Sequence, residues 1–226
     1  ELTKWVAQIE DTSRIPEYIS RAFHTATAGR PGPVVLALPE DMLTEYADSK
    51  IINSYQKIEA YPSPTDLVRF EKMLISAKSP LMIVGGGGWD EASCQKLQSF
   101  AEINNLPVGC SFRCQDYFDN RHPNYVGHIG IGLSNSLKDR IQNSDLLVVV
   151  GARLGEITTS GYSLLEIPKP KQQLIHVHAG AEELGSVYQA DLPINASPRS
   201  FVDSVSQLKV SGSAKWTAGT KLGNSD

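Results

Sequence analysis

Leu146-Leu-Val-Val-Val-Gly-Ala-Arg-Leu-Gly-Glu156 is the stretch whose reading decides the fold. Its first five residues are apolar without a break, and they end on glycine. A strand with one wet face alternates apolar and polar residues. An unbroken apolar run marks a strand covered on both faces, as in parallel sheets. The signature recurs on both sides. Leu81-Met-Ile-Val84 runs into Gly85-Gly-Gly-Gly88, Leu106 to Ser111 reads as a strand, and so does Leu174 to His178. Helix signals fall between them. Glu91 to Asn104 and Ser134 to Asn143 are expected helices, and Ser197-Pro198 opens a last one running to about Leu208. Ahead of the first strand, Ser63 caps a helix, Pro64 takes its first position and Asp66 completes a capping-box spacing. Leu67, Phe70, Leu74 and Ile75 make that helix's apolar face. Phe112 to Gly132 is expected to be irregular. Short buried strands alternating with helices predict parallel βαβ units. Right-handed crossovers then wind them into an α/β fold: a Rossmann-like, doubly wound parallel sheet with helices on both faces.

The first forty residues read as the end of a different α/β body. Ser13 to Thr27 is an expected helix, with Ser13 as N-cap, Pro16 and Glu17 in the first turn and Gly29 as the stop. Ile15, Ile19, Ala22, Phe23 and Ala26 share one face. Arg30-Pro-Gly-Pro33 breaks the pattern, and Val34 to Leu38 is a short strand closed by Pro39. The organisation expected is therefore a helix–strand remnant over 1–45, a linker over 46–62, the Rossmann-like body over 63–208, and a second linker over 209–226. The start at Glu1 and the Gly- and Ser-containing end mark the chain as a piece of a longer protein.

Composition narrows the function classes. Of 226 residues, 21 are Lys or Arg and 25 are Asp or Glu, a net charge of −4. That balance argues against nucleic acid as a partner. The hydrophobic share of 41% is enough for a buried core. No apolar run approaches the roughly 20 residues of a membrane span, and no basic-then-apolar leader opens the chain. Cys94, Cys110 and Cys114 are an odd set without a C-x-x-C pair, which argues against a disulfide framework or a zinc knuckle. A reducing, cytoplasmic location is expected.

Ligands of open parallel sheets bind outside the carboxyl ends of the strands. The residues to read are thus Gly85 to Gly88, Ser111 to Gln115, Gly151 to Glu156, and His178 to Glu182. Gly85 to Gly88 lets backbone approach a phosphate, or else makes a tight turn; it is neither G-x-G-x-x-G nor a P-loop. Gly127-His-Ile-Gly-Ile-Gly132 before Ser134 is a second anion site or a loop that needs positive φ. Arg153 meets a phosphate or an adenine face, or pairs with Glu156. His176 and His178 share one strand face and form a possible chelating pair, but no third ligand follows from spacing, so no metal site is assigned. His122 and His128 are expected at the surface. There is no G-x-S-x-G elbow, and Asp116 and Asp119 read as solvated loop charges. No catalytic residue is assigned.

The order of these segments resembles the thiamine diphosphate-dependent enzymes, and among them it is similar to the acetolactate synthase large subunits. The resemblance rests on Arg14 to Asp41 with its Gly29-Arg-Pro-Gly-Pro33 core, and on Pro80 to Gly88, Leu106-Pro-Val108 and His122 to Gly127. Asn143 to Arg153 and Ile175-His-Val-His178 complete it. It covers the chain to about Leu208. It implies three domains in the parent: a pyrimidine-binding domain whose end lies here, this central domain, and a diphosphate-binding domain with the Mg²⁺ site. It implies a thiamine diphosphate enzyme acting on 2-oxo acids as a homodimer or homotetramer, and a fragment inactive by itself. In such enzymes the central domain holds FAD, ADP or nothing. By resemblance the nucleotide-contacting residues are Arg30, Gly85, Gly86, Gly87, Gly130, Gly132 and Arg153. FAD-binding members carry Asp-x-Asp where this chain has His178 and Gly180, a change that removes two acceptors for nucleotide hydroxyls.

Overall fold

The computed structural model describes residues 2–48, 53–210, 212 and 216. Two compact units are present, Glu1–Glu59 and Ala60–Asp226.

In the first unit, β1 (Trp5–Gln8) and β2 (Val34–Ala37) form a two-stranded parallel sheet in which Val6 pairs with Val35. Helix α1 (Ile15–Thr27) lies on it, with Tyr18 stacked on Trp5 at 5.9 Å. β1 was not expected. The cap differs as well: Asp11, not Ser13, is the capping residue, and it holds Ser13 N–H at the head of a 3-10 turn over Thr12–Arg14. That turn uses Ser13 before α1 begins. Gly29 ends α1 as expected, in the left-handed region at φ 56°.

The second unit is a six-stranded, wholly parallel sheet: β3 (Pro80–Val84), β4 (Val108–Ser111), β5 (Tyr125–Ile129), β6 (Leu146–Val150), β7 (Gln173–His178) and β8 (Leu192–Asn195). Its order is β5-β4-β3-β6-β7-β8. The chain starts in the middle, winds to one edge, returns and winds to the other. This is the doubly wound order, with the reversal between β3 and β6. The central strands are buried at every position, as their unbroken apolar runs required.

Alternate strand residues face opposite ways. Met82, Val84, Val148, Val150, Ile175 and Val177 point to one layer. There they meet Phe70 and Leu74 of α2 (Pro64–Ser76), Leu97 and Phe100 of α3 (Glu91–Asn104), and Phe201 and Val205 of α5 (Pro198–Val205). Leu81, Ile83, Leu147, Val149 and Leu174 point to the other. Leu137 and Ile141 of α4 (Asn135–Asn143) and Leu154, Leu164 and Leu165 cover them. The capping box at Ser63 and Asp66 forms as expected, and Ser197 caps α5.

Two strands were not expected. β5 occupies part of the stretch read as irregular, and β8 follows a long connection. The last helix is shorter than expected and ends at Val205. Most of the expected linker 209–226 lies outside the described residues. Its described members include core residues, however. Val210 N–H donates to the buried Asn104 Oδ1 at 2.7 Å, and Trp216 Nε1 donates to Ala77 O at 3.1 Å. The core therefore runs past Leu208. No helix among the described residues is long and apolar enough to cross a membrane.

Candidate functional site

The reversal point is built from main chain. Gly85 follows β3 and Gly151 follows β6, hydrogen-bonded neighbours in the sheet. Their backbones approach so closely that side chains are excluded. A Cβ at Gly86 would stand 2.0 Å from Gly151 O; one at Gly151 would stand 2.4 Å from Gly85 O and 2.7 Å from Pro198 Cγ. Both residues are also left-handed, at φ 71° and 74°. Two requirements thus coincide at glycine, positive φ and space for a crossing backbone.

The glycine loop is held by its carbonyls. Trp89 Nε1 donates to Gly85 O at 2.9 Å and Tyr117 Oη to Gly86 O at 2.7 Å. The two rings pack together at 5.5 Å. Partial burial and the neighbouring Cys114 push the Tyr117 phenol up to about 12, so it stays a donor. With the carbonyls tied back, the amides of Gly86, Gly87 and Gly88 have no acceptor among the described residues, and all three are exposed. A row of free amides before the N-terminus of α3 could hold an anion.

Arg153, just beyond Gly151, is exposed and has no ion-pair partner among the described residues; the expected alternative, a pair with Glu156, does not form. Gly130 and Gly132 follow β5, at the sheet edge. They line a cleft of about 720 Å³ at the end of β5, together with Asn135 and Lys138 of α4 and with Glu156, Ile157, Ser160 and Gly161. Arg30 belongs to the first unit and is exposed; Lys4 Nζ donates to its carbonyl at 3.1 Å.

At the end of β7 the structure supplies something the sequence reading lacked. Gly180 has no side chain, and the Glu182 carboxylate occupies that space: its Oε1 lies 2.3 Å from where a Cβ of Gly180 would stand. An acceptor is thus restored beside the position where carboxylates are missing. No spacing rule would have shown this, because Glu182 reaches back across a 3-10 turn over Ala181–Glu183.

Both histidines of β7 are hydrogen-bonded to main chain. His176 Nε2–H donates to Ala152 O at 3.0 Å, and His178 Nδ1 lies 3.0 Å from Gly180 O and 3.1 Å from Gly180 N. Among the described residues no group of three or more His, Cys, Asp or Glu is placed to hold a metal. His122, expected at the surface, is largely buried: Nε2 donates to Glu102 at 2.8 Å and Nδ1 accepts Asn124 N–H at 3.1 Å. That bond holds the Glu102 carboxyl below its ordinary range. His128 is half-buried on Ile131 O.

Burial pushes His176 down to about 4, aided by His178 and opposed by the bond to Ala152. Its folded value lies below the unfolded 6.5, so the unfolded chain takes up the proton first. Stability is full above pH 6.5 and falls as pH drops toward 4, by up to about 3 kcal/mol. Urea unfolding across that range should show the decline in the wild type. His176→Gln keeps an N–H for Ala152 without titrating, and should make the decline shallower, the remainder belonging to carboxyls held below their ordinary range, such as Glu102.

Comparison with known proteins places the sequence in a family. Residues 68–205 match the family model for the thiamine pyrophosphate enzyme, central domain. The chain is 28% identical over 203 residues to the acetolactate synthase large subunit of Corynebacterium glutamicum, covering 88% of this chain and 32% of that protein. The acetolactate synthase isozyme 3 large subunit of Escherichia coli is 28% identical over 211 residues, covering 88% of this chain and 35% of that protein. The crystal structure of benzoylformate decarboxylase from Polynucleobacter necessarius superposes with a TM-score of 0.71 at 22% identity, over 91% of this chain and 38% of that one. The chain spans about a third of the length of the curated relatives it matches. With the family model covering more than half its residues, the chain belongs to the thiamine pyrophosphate enzymes, and 68–205 is its central domain.

Proposed function

We propose that this chain is the middle of a longer, acetolactate synthase-like enzyme that decarboxylates a 2-oxo acid and joins the product to a second carbonyl compound. The acetolactate synthase relatives, three times its length, support the reading. Thiamine diphosphate with Mg²⁺ supplies the carbanion chemistry in such an enzyme. The residues present do not fit that cofactor. No Gly-Asp-Gly motif stands in the sequence to hold a diphosphate-bound metal, and no described cluster could hold one. No catalytic step is assigned to this chain, and alone it is expected to be inactive. In the parent we propose a cytoplasmic homodimer or homotetramer. The three thiols, all free, are consistent with a reducing compartment.

This chain's own role is to bind the ADP portion of a nucleotide, FAD or ADP, at the strand reversal. The observation that carries the reading is the glycine loop, whose carbonyls are tied to Trp89 and Tyr117 while the Gly86–Gly88 amides stay free. Those amides fit a diphosphate, Arg153 a phosphate or adenine face, and Glu182 the nucleotide hydroxyls. A second reading, an empty scaffold, is favoured by the absence of carboxylates at positions 178 and 180.

The reaction class is tested on the full-length parent with thiamine diphosphate, Mg²⁺ and a panel of 2-oxo acids. Loss of carbon dioxide from one of them, with a new carbon–carbon bond, is the expected result; inertness toward all of them refutes it. Glu182→Gln should weaken ADP binding by about tenfold or more, the size of one hydrogen bond to a charged group. Unchanged affinity in a calorimetric titration removes Glu182 from the site.

A further inference from the structure

The chain's three thiols gather near the glycine loop, and the nucleotide reading uses none of them. Cys110 stands on β4 and is fully buried; Cys114 follows it by four residues and is 8% exposed. Cys94 lies on α3 and is half-buried, and all three are free. After β4 the chain doubles back. Cys114 N–H donates to Ser111 O at 3.0 Å, which closes a four-residue turn. The third residue of that turn, Arg113, is left-handed at φ 62°. Glycine is favoured at such a position, so an arginine there is strained. Phe118 N–H then returns to the Cys110 sulfur, which keeps Cys114 within a closed loop beside Cys110. Burial pushes the Cys110 thiol up to about 12; the neighbouring Cys114, Asp116 and Cys94 add to it, and Phe118 N–H opposes it.

Cys114 is also tied to the glycine loop. Its Sγ donates to Gly86 O at 4.0 Å, the same carbonyl that Tyr117 Oη meets at 2.7 Å. One carbonyl thus collects a thiol and a phenol that stand three residues apart on one loop. A movement of Cys114 away from Gly86 therefore pulls on Tyr117, and through it on Trp89, whose ring packs against Tyr117 at 5.5 Å.

We propose that Cys110 and Cys114 are a redox-sensitive pair that sets the conformation of the glycine loop. Hydrogen peroxide oxidises Cys114, the member of the pair that solvent reaches, to a sulfenic acid, and one water leaves. The Cys110 sulfur then attacks the Cys114 sulfur. An S–S bond forms, the S–O bond breaks, and the oxygen leaves as a second water with the Cys110 proton. In sum, two thiols and one peroxide give one disulfide and two waters. The Cys114 bond to Gly86 O is lost in the product, because that sulfur no longer carries a proton. In a reducing compartment the pair stays as thiols until oxidant rises, which is how disulfides there are ordinarily used. The effect on ligand binding rests on the nucleotide reading: the disulfide should weaken ADP binding by about tenfold, the size of one hydrogen bond.

The test treats the whole reduced chain with hydrogen peroxide and maps its peptides by mass spectrometry. Trypsin cuts after Lys96, Arg113 and Arg121, so the disulfide is expected as peptide 97–113 joined to peptide 114–121, with Cys94 left in the peptide before them. The indole N–H signal of Trp89, assigned by nuclear magnetic resonance with Trp89→Phe, should shift on oxidation and return with dithiothreitol. Cys114→Ser and Cys110→Ala should each abolish the joined peptides and the shift, and Cys94→Ser should keep both. Circular dichroism confirms that the variants fold. Treated chain without the joined peptides overturns the proposal, as does a link through Cys94 in their place. So does a Trp89 signal that stays unmoved when the link forms, or ADP binding that the link leaves unchanged. Should the link form and move Trp89 while the reduced chain binds no ADP, the thiol pair stands and the nucleotide reading falls.

Discussion

Gly151→Ala should lower the free energy of unfolding by about 3–5 kcal/mol, among the largest effects of any single substitution here. Two causes add. Alanine at φ 74° is strained, and its methyl would meet Gly85 O at 2.4 Å and Pro198 Cγ at 2.7 Å. The first contact is backbone of the neighbouring strand, hydrogen-bonded into the sheet through Gly85 N–H to Val150 O at 3.0 Å. It cannot move without opening β3 from β6. Gly155→Ala is the control, because nothing lies within 4 Å of a Cβ there and its φ is ordinary. Urea unfolding of the two variants should separate them widely. Similar, small losses would mean that the crossing of the two loops is not the constraint described.

Phe70→Ala should cost about 3–5 kcal/mol, as truncations of fully buried aromatic residues do. Phe70 lies on α2 and is buried completely. It meets Phe201 edge-on at 5.2 Å and Phe100 at 6.2 Å, so a single ring joins α2, α5 and α3 over the sheet. Val68, two residues away and half-exposed, should tolerate alanine within about 0.5 kcal/mol. Denaturation midpoints of the pair check this. A Phe70→Ala loss no larger than that of Val68→Ala would contradict the three-helix layer.

The inner strands were legible and the edge strands were not, for a physical reason. β3 and β6 have neighbours on both sides and helices or loops on both faces, so their sequences are apolar throughout, whereas β7 keeps a buried apolar run but carries Gln173, His176 and His178. β8 closes one edge and alternates buried and exposed residues over four positions, with Pro193 among them. A proline lacks the ladder N–H and is tolerated at an edge, yet in sequence it reads as a break. β5 closes the other edge with Gly127 at φ 119° and a register shift in its pairing with β4, so its pattern is interrupted too. Helices announced themselves where side-chain caps were used, as at Ser63, Ser134 and Ser197.

The candidate site divides along the same line. Gly85, Gly86 and Gly151 could be read because strand ends and glycines are local features. The tether from Tyr117 depends on how β4's following loop folds back over the glycines, that from Trp89 on how the glycine loop turns upon itself, and Glu182 on what an absent side chain leaves open. Gly130 and Gly132, also legible as glycines at a strand end, line a cleft beyond β5.

The central claim is that the strand reversal of this chain is a working nucleotide site, and calorimetric titration of the chain with ADP and with FAD tests it most directly. The account predicts saturable, one-to-one ADP binding that weakens in Glu182→Gln while the fold is unchanged. Absence of binding by both nucleotides up to about 1 mM would contradict it, and would leave the reversal as a scaffold that joins two halves of a sheet.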